Sequence, residues 1–242
     1  MLYTDLTKKA LKLCFEAHKE QVDKSGLPYV FHPFHLAEQM PDEVTTITAL
    51  LHDVVEDTDY TMAELLAMGF PTQSLEAVRL MTHDKAVPYL KYVTKLRKNS
   101  VAAAVKLADL QHNSDLSRLD AVTPEDRRRA LKYRMAMEIL RQPPMDDPNQ
   151  EYRIRFPLDW ERLCYLEVFY SARGVRLCSL DIEEAHDVHV DFDAAEADRV
   201  KRLLPEAETL PEAMALYLET SSTDQFVRLL KENGVPYQCF RY

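Results

Sequence analysis

Glycine is scarce in this chain, with four in 242 residues. So small a supply of flexible turn residues, beside 46% hydrophobic content, favours a helix-rich globular protein over a disordered one. Positive charge is short as well. The formal net charge of −10 excludes a general nucleic-acid binder with its basic footprint. Any anionic substrate must then be captured locally, by a metal ion or a few placed cations. Paired cysteines are missing: Cys14, Cys164, Cys178 and Cys239 lie far apart with no Cys-x-x-Cys, which fits reduced thiols better than a disulfide framework. Long apolar runs are missing too. Asp5, Lys8, Lys9 and Lys12 interrupt the N-terminus, so neither a membrane span nor a signal peptide is expected. The expectation is a soluble, cytoplasmic protein with no nucleic-acid or membrane partner, and composition leaves the oligomeric state unknown.

What is present centres on Leu50-Leu51-His52-Asp53-Val54-Val55-Glu56-Asp57-Thr58. One imidazole and three carboxylates fall within six residues, at the C-terminal end of what reads as an apolar helix. Residues three and four apart share a helix face, so Glu56 lies one turn beyond His52 and Asp53, and Asp57 one turn beyond Asp53. Four ionisable groups in apolar surroundings are costly unless compensated, and a metal ion is the natural compensator. A metal on the His-Asp pair would have two carboxylates beside it to handle a water, a layout for metal-assisted hydrolysis.

Around that stretch the chain reads as a series of helices. Residues Asp5 to Lys24 carry apolar residues at helical spacing, and Ser25-Gly26-Leu27-Pro28 is expected to end the run. Pro28 to Pro33 reads as an ordered loop holding His32, followed by a helix over Pro33–Met40 and the His-Asp helix over Asp42–Val55. Thr61 and Glu64 are spaced as a capping box. Further helices are expected at Gln73–Met81, Tyr89–Lys98 and Ser100–Leu116. In the last of these Asp109 falls within the apolar half, where a carboxylate needs a partner or a metal, and Asn113 shares its face. Lys24 and Lys106 are candidate phosphate cations, though the stem of Lys106 could equally serve packing. Thr123-Pro124-Glu125-Asp126 opens a helix reaching Arg141. Proline-rich residues 143–150 read as a linker. Beyond it, strands at Leu163–Tyr170, Val175–Leu180 and Val188–Phe192, helices at Ala194–Leu204, Pro211–Glu219 and Thr223–Glu232, and a last strand near Val235–Phe240 make a small α+β domain over 151–242. A second pair, His186-Asp187, lacks the helical context of the first.

The order and spacing of His18-x-x-Gln21, Lys24-Ser25-Gly26-Leu27-Pro28-Tyr29-Val30-Phe31-His32-Pro33, Leu50 to Thr58, and Val105-Lys106-Leu107-Ala108-Asp109-Leu110-Gln111-His112-Asn113 resemble the HD-domain hydrolases of guanosine tetraphosphate, the hydrolase half of the RelA/SpoT family. The Lys132-Tyr133-Arg134 helix fits as well. The resemblance implies a mainly α fold, an all-helical HD domain over residues 1–142 followed by the small α+β domain. It implies one Mn²⁺ (Fe²⁺ or Co²⁺ sharing the same ligands) on His32, His52, Asp53 and Asp109. It also implies Glu56 and Asp57 acting on or orienting the water, Asn113 contacting the nucleoside, and removal of the 3′-pyrophosphate from the alarmone. One departure is Asp23-Lys24, where these enzymes usually carry Arg-Lys; an aspartate cannot supply an arginine's stacking and charge. Two alternatives therefore stand beside alarmone hydrolysis: the same chemistry on another nucleotide such as NADPH, and a non-catalytic protein that senses metal or nucleotide. Intact Glu56 and Asp57 argue against the latter.

Overall fold

The computed structural model describes residues 2–87, 89–141, 152–159, 164–171, 174–181, 186–204 and 223–241, together with 210, 213, 214, 217 and 221. Packing divides the chain into two units, Met1–Tyr133 and Arg134–Tyr242, a division inside the helix Pro124–Arg141. The expected linker, 143–150, lies outside the described residues.

The first unit is helical: α1 (Asp5–His18), α2 (Phe31–Glu38), α3 (Glu43–Leu51), α4 (Val54–Asp57), α5 (Met62–Ala67), α6 (Thr72–Met81), α7 (Tyr89–Leu96), α8 (Ser100–Asn113), a 3-10 turn at Leu116–Arg118, and the start of α9 (Pro124–Arg141). Helix α3 is the hub, packed by α1, α2, α6 and α8. Every residue from Thr45 to Leu51 is buried, which explains why no polar face is legible in that stretch. Its threonines survive burial because their hydroxyls bond back along the helix, Thr46 Oγ1 to Asp42 O at 2.6 Å and Thr48 Oγ1 to Val44 O at 2.8 Å.

Three local expectations change here. Helix α1 stops at His18 instead of reaching Lys24, and the next ten residues form a loop closed by a bridge between Val22 and Pro28. Gly26 sits in that loop at φ 77, a left-handed conformation that glycine adopts without strain. His32 lies inside the first turn of α2 and not in the preceding loop. The His-Asp stretch is no continuous helix: α3 ends at Leu51, His52 is its C-cap, and Asp53 is the N-cap of the short α4. The turn between them aims two adjacent side chains at one place, which an unbroken helix would not do. The Thr61–Glu64 capping box is present, with both reciprocal bonds made.

The second unit holds an antiparallel sheet in the order β1 (Tyr152–Asp159), β2 (Cys164–Ser171), β3 (Gly174–Asp181), β4 (His186–Asp193) and β5 (Gln238–Arg241), each strand pairing with the next. Helix α10 (Ala194–Leu203) packs on β3 and β4, and Phe226 of α11 (Thr223–Glu232) meets Phe192 of β4 edge-on. Strand β1 is additional to the expected strands, because Arg153, Arg155 and Pro157 mask its alternation; the register shifts beside Pro157. The helix expected at Pro211–Glu219 falls largely outside the described residues. His186-Asp187 opens a strand. Among the described residues no helix is long and apolar enough to cross a membrane.

Candidate metal centre

Helices α2, α3 and α8 meet at three buried side chains: His32, His52 and Asp109 each offer a ligand atom, all within 4.8 Å of one another. His32 Nε2 is 3.2 Å from Asp109 Oδ1, and His52 Nε2 is 2.9 Å from Asp53 Oδ2, which in turn lies 3.9 Å from His32 Nε2. Neither Nε2 atom has a hydrogen-bond partner despite full burial. The carboxylate oxygens come close without the alignment of a hydrogen bond; the ligand atoms of His32, His52 and Asp109 gather together, with Asp53 beside His52. Buried nitrogens left without partners are costly, and a cation among these atoms would satisfy both.

The far side of each ring fixes its tautomer. His52 Nδ1 donates to Ala49 O at 2.8 Å, which leaves the Nε2 lone pair turned inward. His32 Nδ1 shares a 2.6 Å hydrogen bond with His112 Nδ1, and the two rings stack with centroids 4.8 Å apart. Burial, then the neighbouring His32 and Arg118, hold the His112 pKa down at about 4, so His112 is neutral and can accept the His32 proton.

Two ionised carboxylates, Asp53 and Asp109, set the electrostatics of the centre. Burial alone would lower the His52 pKa, but the Asp53 and Asp109 carboxylates override it and raise the value to about 9. Burial would raise Asp109, yet Lys106, His32 and His52 keep it well below the usual carboxylate range. Asp53 is drawn to about 2 in the same way, against its burial, by His52 and by the Tyr29 hydroxyl, which donates to Oδ2. A site that pulls a proton this hard onto an imidazole would hold a divalent cation in its place. The donor set and the unpartnered nitrogens thus fit a metal ion, with two N and up to two O ligands.

The other expected residues fall as follows. Glu56 and Asp57 are solvent-exposed on α4; Glu56 Oε2 accepts the His83 backbone N–H at 3.0 Å. The Asp57 pKa is raised, first by partial loss of hydration, then by Asp53 and Glu56. Asn113 donates to Asp109 Oδ1 at 2.5 Å. Lys106 reaches Asp109 Oδ2 at 2.8 Å and lies over the faces of Tyr89 and Tyr92, with 14% of its side chain exposed. Burial pulls its pKa down, but Asp109 and the two phenols hold it well above the ordinary value, so it stays charged. Lys24 pairs with Asp126 at 3.2 Å.

Beside the centre opens a cavity of about 300 Å³. Its lining includes His32, Asn113, Lys24, Arg118, Arg129 and Tyr133, so Asn113 and Lys24 face it and Lys106 does not. Sequence reasoning assigned no role to Tyr29, His112, Arg118 or Arg129. Tyr29 and His112 lie inside the matched motifs, and that was their only signal; the two arginines have no local pattern to mark them.

No protein-family model matches the chain. A probable guanosine-3′,5′-bis(diphosphate) 3′-pyrophosphohydrolase of Synechocystis is 34% identical over 135 residues, covering 50% of this chain and 18% of that protein. The bifunctional (p)ppGpp synthase/hydrolase SpoT of Escherichia coli is 33% identical over 137 residues, 50% of this chain and 19% of that one. The chain thus spans about a fifth of the length of the curated relatives it matches. A solved structure of a metazoan ortholog of SpoT that hydrolyses ppGpp matches with a TM-score of 0.50 and 26% identity, over 58% of this chain and 88% of that one. The fold is mainly α over the helical unit, with a small α+β region in the same chain. Within it, the helical unit resembles the hydrolases of guanosine tetraphosphate in both sequence and fold.

Proposed function

We propose that the helical domain, residues 1–142 in this reading, is a metal-dependent phosphohydrolase that removes the 3′-pyrophosphate from guanosine tetraphosphate or a closely related nucleotide. One observation carries it. Two buried imidazole nitrogens without partners gather with the Asp109 carboxylate, Asp53 stands 2.9 Å from one of them, and the His32 ring also lines a cavity large enough for part of a nucleotide. Relatives named as guanosine-3′,5′-bis(diphosphate) 3′-pyrophosphohydrolases fit that chemistry.

In this reading His32, His52, Asp53 and Asp109 hold the ion, Mn²⁺ in preference to Fe²⁺ or Co²⁺. When bound, it supplies Lewis-acid polarisation of a phosphoryl oxygen and a water of lowered pKa. The residues of the chain do the rest. Asp57, its carboxyl raised above the ordinary value by partial burial and by Asp53, takes the proton from the attacking water. Glu56, tied to the His83 amide, orients that water. Gln21 fixes α4 by donating to Asp57 O at 2.8 Å, while His18 Nδ1 holds Gln21 Oε1 at 2.7 Å. Lys106 keeps Asp109 ionised and aimed. Lys24 and Asn113 face the cavity, where an amide and an ammonium suit ribose and phosphate oxygens.

The test is a nucleotide panel on Mn²⁺-loaded protein, with guanosine tetraphosphate, NADPH and nucleoside diphosphates side by side. The reading expects pyrophosphate release from the alarmone above all others, abolished in Asp109→Asn. Turnover of NADPH alone would transfer the assignment to that substrate, and no turnover at all would leave the site a sensor.

A further inference from the structure

The cavity charges sort into two clusters, each defined by its ion pairs. In one, Asp126 gathers two cations: Lys24 Nζ at 3.2 Å and Arg129 Nη2 at 2.8 Å. In the other, Arg118 meets Asp23 at 3.1 Å, with the Asp115 carboxylate lining the same wall. The first cluster carries a surplus positive charge and the second a surplus negative one. A polyphosphate belongs at the first cluster and beside the metal ligands, and is repelled from the second.

The second cluster is nevertheless built around a guanidinium held from two sides. Arg118 Nη2 donates to Asp23 Oδ2, and Nη1 donates to His112 O at 3.1 Å. Asp23 cannot turn away, because its Oδ1 accepts the backbone N–H of Ser25 at 2.9 Å and of Leu27 at 3.0 Å. Ser25 Oγ closes the arrangement by donating to Arg118 O at 2.6 Å. Asp23 is therefore held in place by these bonds, while each terminal nitrogen of Arg118, which lines the cavity, keeps one N–H beyond the bonds to Asp23 and His112. A guanidinium has no acceptor. It suits a neutral edge carrying two adjacent acceptors, which a 6-oxopurine presents at O6 and N7 and a 6-aminopurine does not.

We infer that Arg118 reads the base of the nucleotide, selecting a 6-oxopurine, and that Asp23 is the positioning residue that aims it. This deepens the proposed function, on which it rests. It also gives Asp23 a purpose that repulsion of phosphate would not.

The test measures binding by calorimetric titration of Mn²⁺-loaded protein with guanosine 5′-diphosphate, adenosine 5′-diphosphate and inorganic pyrophosphate. The unaltered protein is expected to prefer the guanosine ligand by about tenfold or more. Arg118→Lys keeps the charge but not the planar fork, so it should lose that preference while pyrophosphate affinity stays unchanged. Asp23→Asn retains an oxygen for the Ser25 and Leu27 amides but removes the ion pair. It should reduce the same preference, raise KM for guanosine tetraphosphate and leave kcat alone. An unchanged preference in Arg118→Lys overturns the inference, as does weaker pyrophosphate binding with the preference intact. Selective guanosine binding without turnover would sink the hydrolase reading and leave the role of Arg118 standing.

Discussion

His52 Nε2 and Asp53 Oδ2 lie 2.9 Å apart at the start of α4, yet the contact is too oblique for a hydrogen bond. Adjacent residues have been turned toward a common point by the break between two helices. Asp109 reaches that point from α8, and removing it should expose two separate effects. Asp109→Asn protein is expected to bind no stoichiometric Mn²⁺ by elemental analysis. Its metal-free form should also be less stable by about 3 kcal/mol in denaturant unfolding, because Lys106 is left charged and buried without its partner. Full metal content in the variant would contradict the ligand assignment.

The His52 shift makes the stability of the metal-free protein depend on pH. Its pKa rises from 6.5 to about 9 on folding, so the protonated ring stabilises the metal-free protein below pH 6.5. That stability is lost as pH rises through about 9. In chelator, the Tm should fall between pH 6.5 and pH 9, and His52→Asn should remove that part of the fall. With Mn²⁺ bound the proton is already displaced, and the same interval should be nearly flat. A Tm in chelator that holds or rises over this range would refute the account of the charge.

Tyr29 offers a test of the outer layer. Its hydroxyl donates to Asp53 Oδ2, its ring packs 5.1 Å from that of His18, and burial followed by the Asp53 charge pushes its pKa well up. Tyr29→Phe keeps the ring and loses only the donor. Mn²⁺ affinity is expected to drop about tenfold, the usual cost of removing a group that orients a ligand, with the melting curve little changed. Equal affinity would show that Asp53 needs no such support.

Cys14 tests the packing of α1. It is completely buried, and its thiol is pushed up to about 12, first by burial and then by the Asp53 charge. Maleimide at pH 8 should leave it unmodified in the folded protein and label it fully in denaturant. Labelling at equal rates in both states would mean that α1 does not seal this part of the core.

The sequence disclosed the helical unit well because its signals are local. The Thr61–Glu64 box and the proline at the start of α9 both sit where the structure uses them. It pointed to the proposed metal ligands through type and spacing, since His52, Asp53 and Asp109 stand in apolar runs that have no other use for them. What escaped was whatever depends on tertiary placement. The end of α1 at His18 is set by the bridge between Val22 and Pro28, a contact six residues apart that no helical period encodes. The break at His52 was hidden because α3 is buried all round and its apolar run continues through Val54 and Val55. Arg118 joins the cavity only because Asp23, 95 residues earlier, folds against it. Strand β1 was missed for the opposite reason: its charged and proline residues disguise a period that the sheet supplies from outside.

The central claim is that this centre cleaves a pyrophosphate from the ribose 3′ position as one unit. Phosphorus NMR of guanosine tetraphosphate incubated with the Mn²⁺-loaded protein tests it most directly, with Asp53→Asn beside it. The account predicts that guanosine 5′-diphosphate and pyrophosphate appear together in equal amounts, and that neither forms in the variant. Stepwise release of inorganic phosphate, or an unchanged spectrum from folded, metal-replete protein, would contradict it.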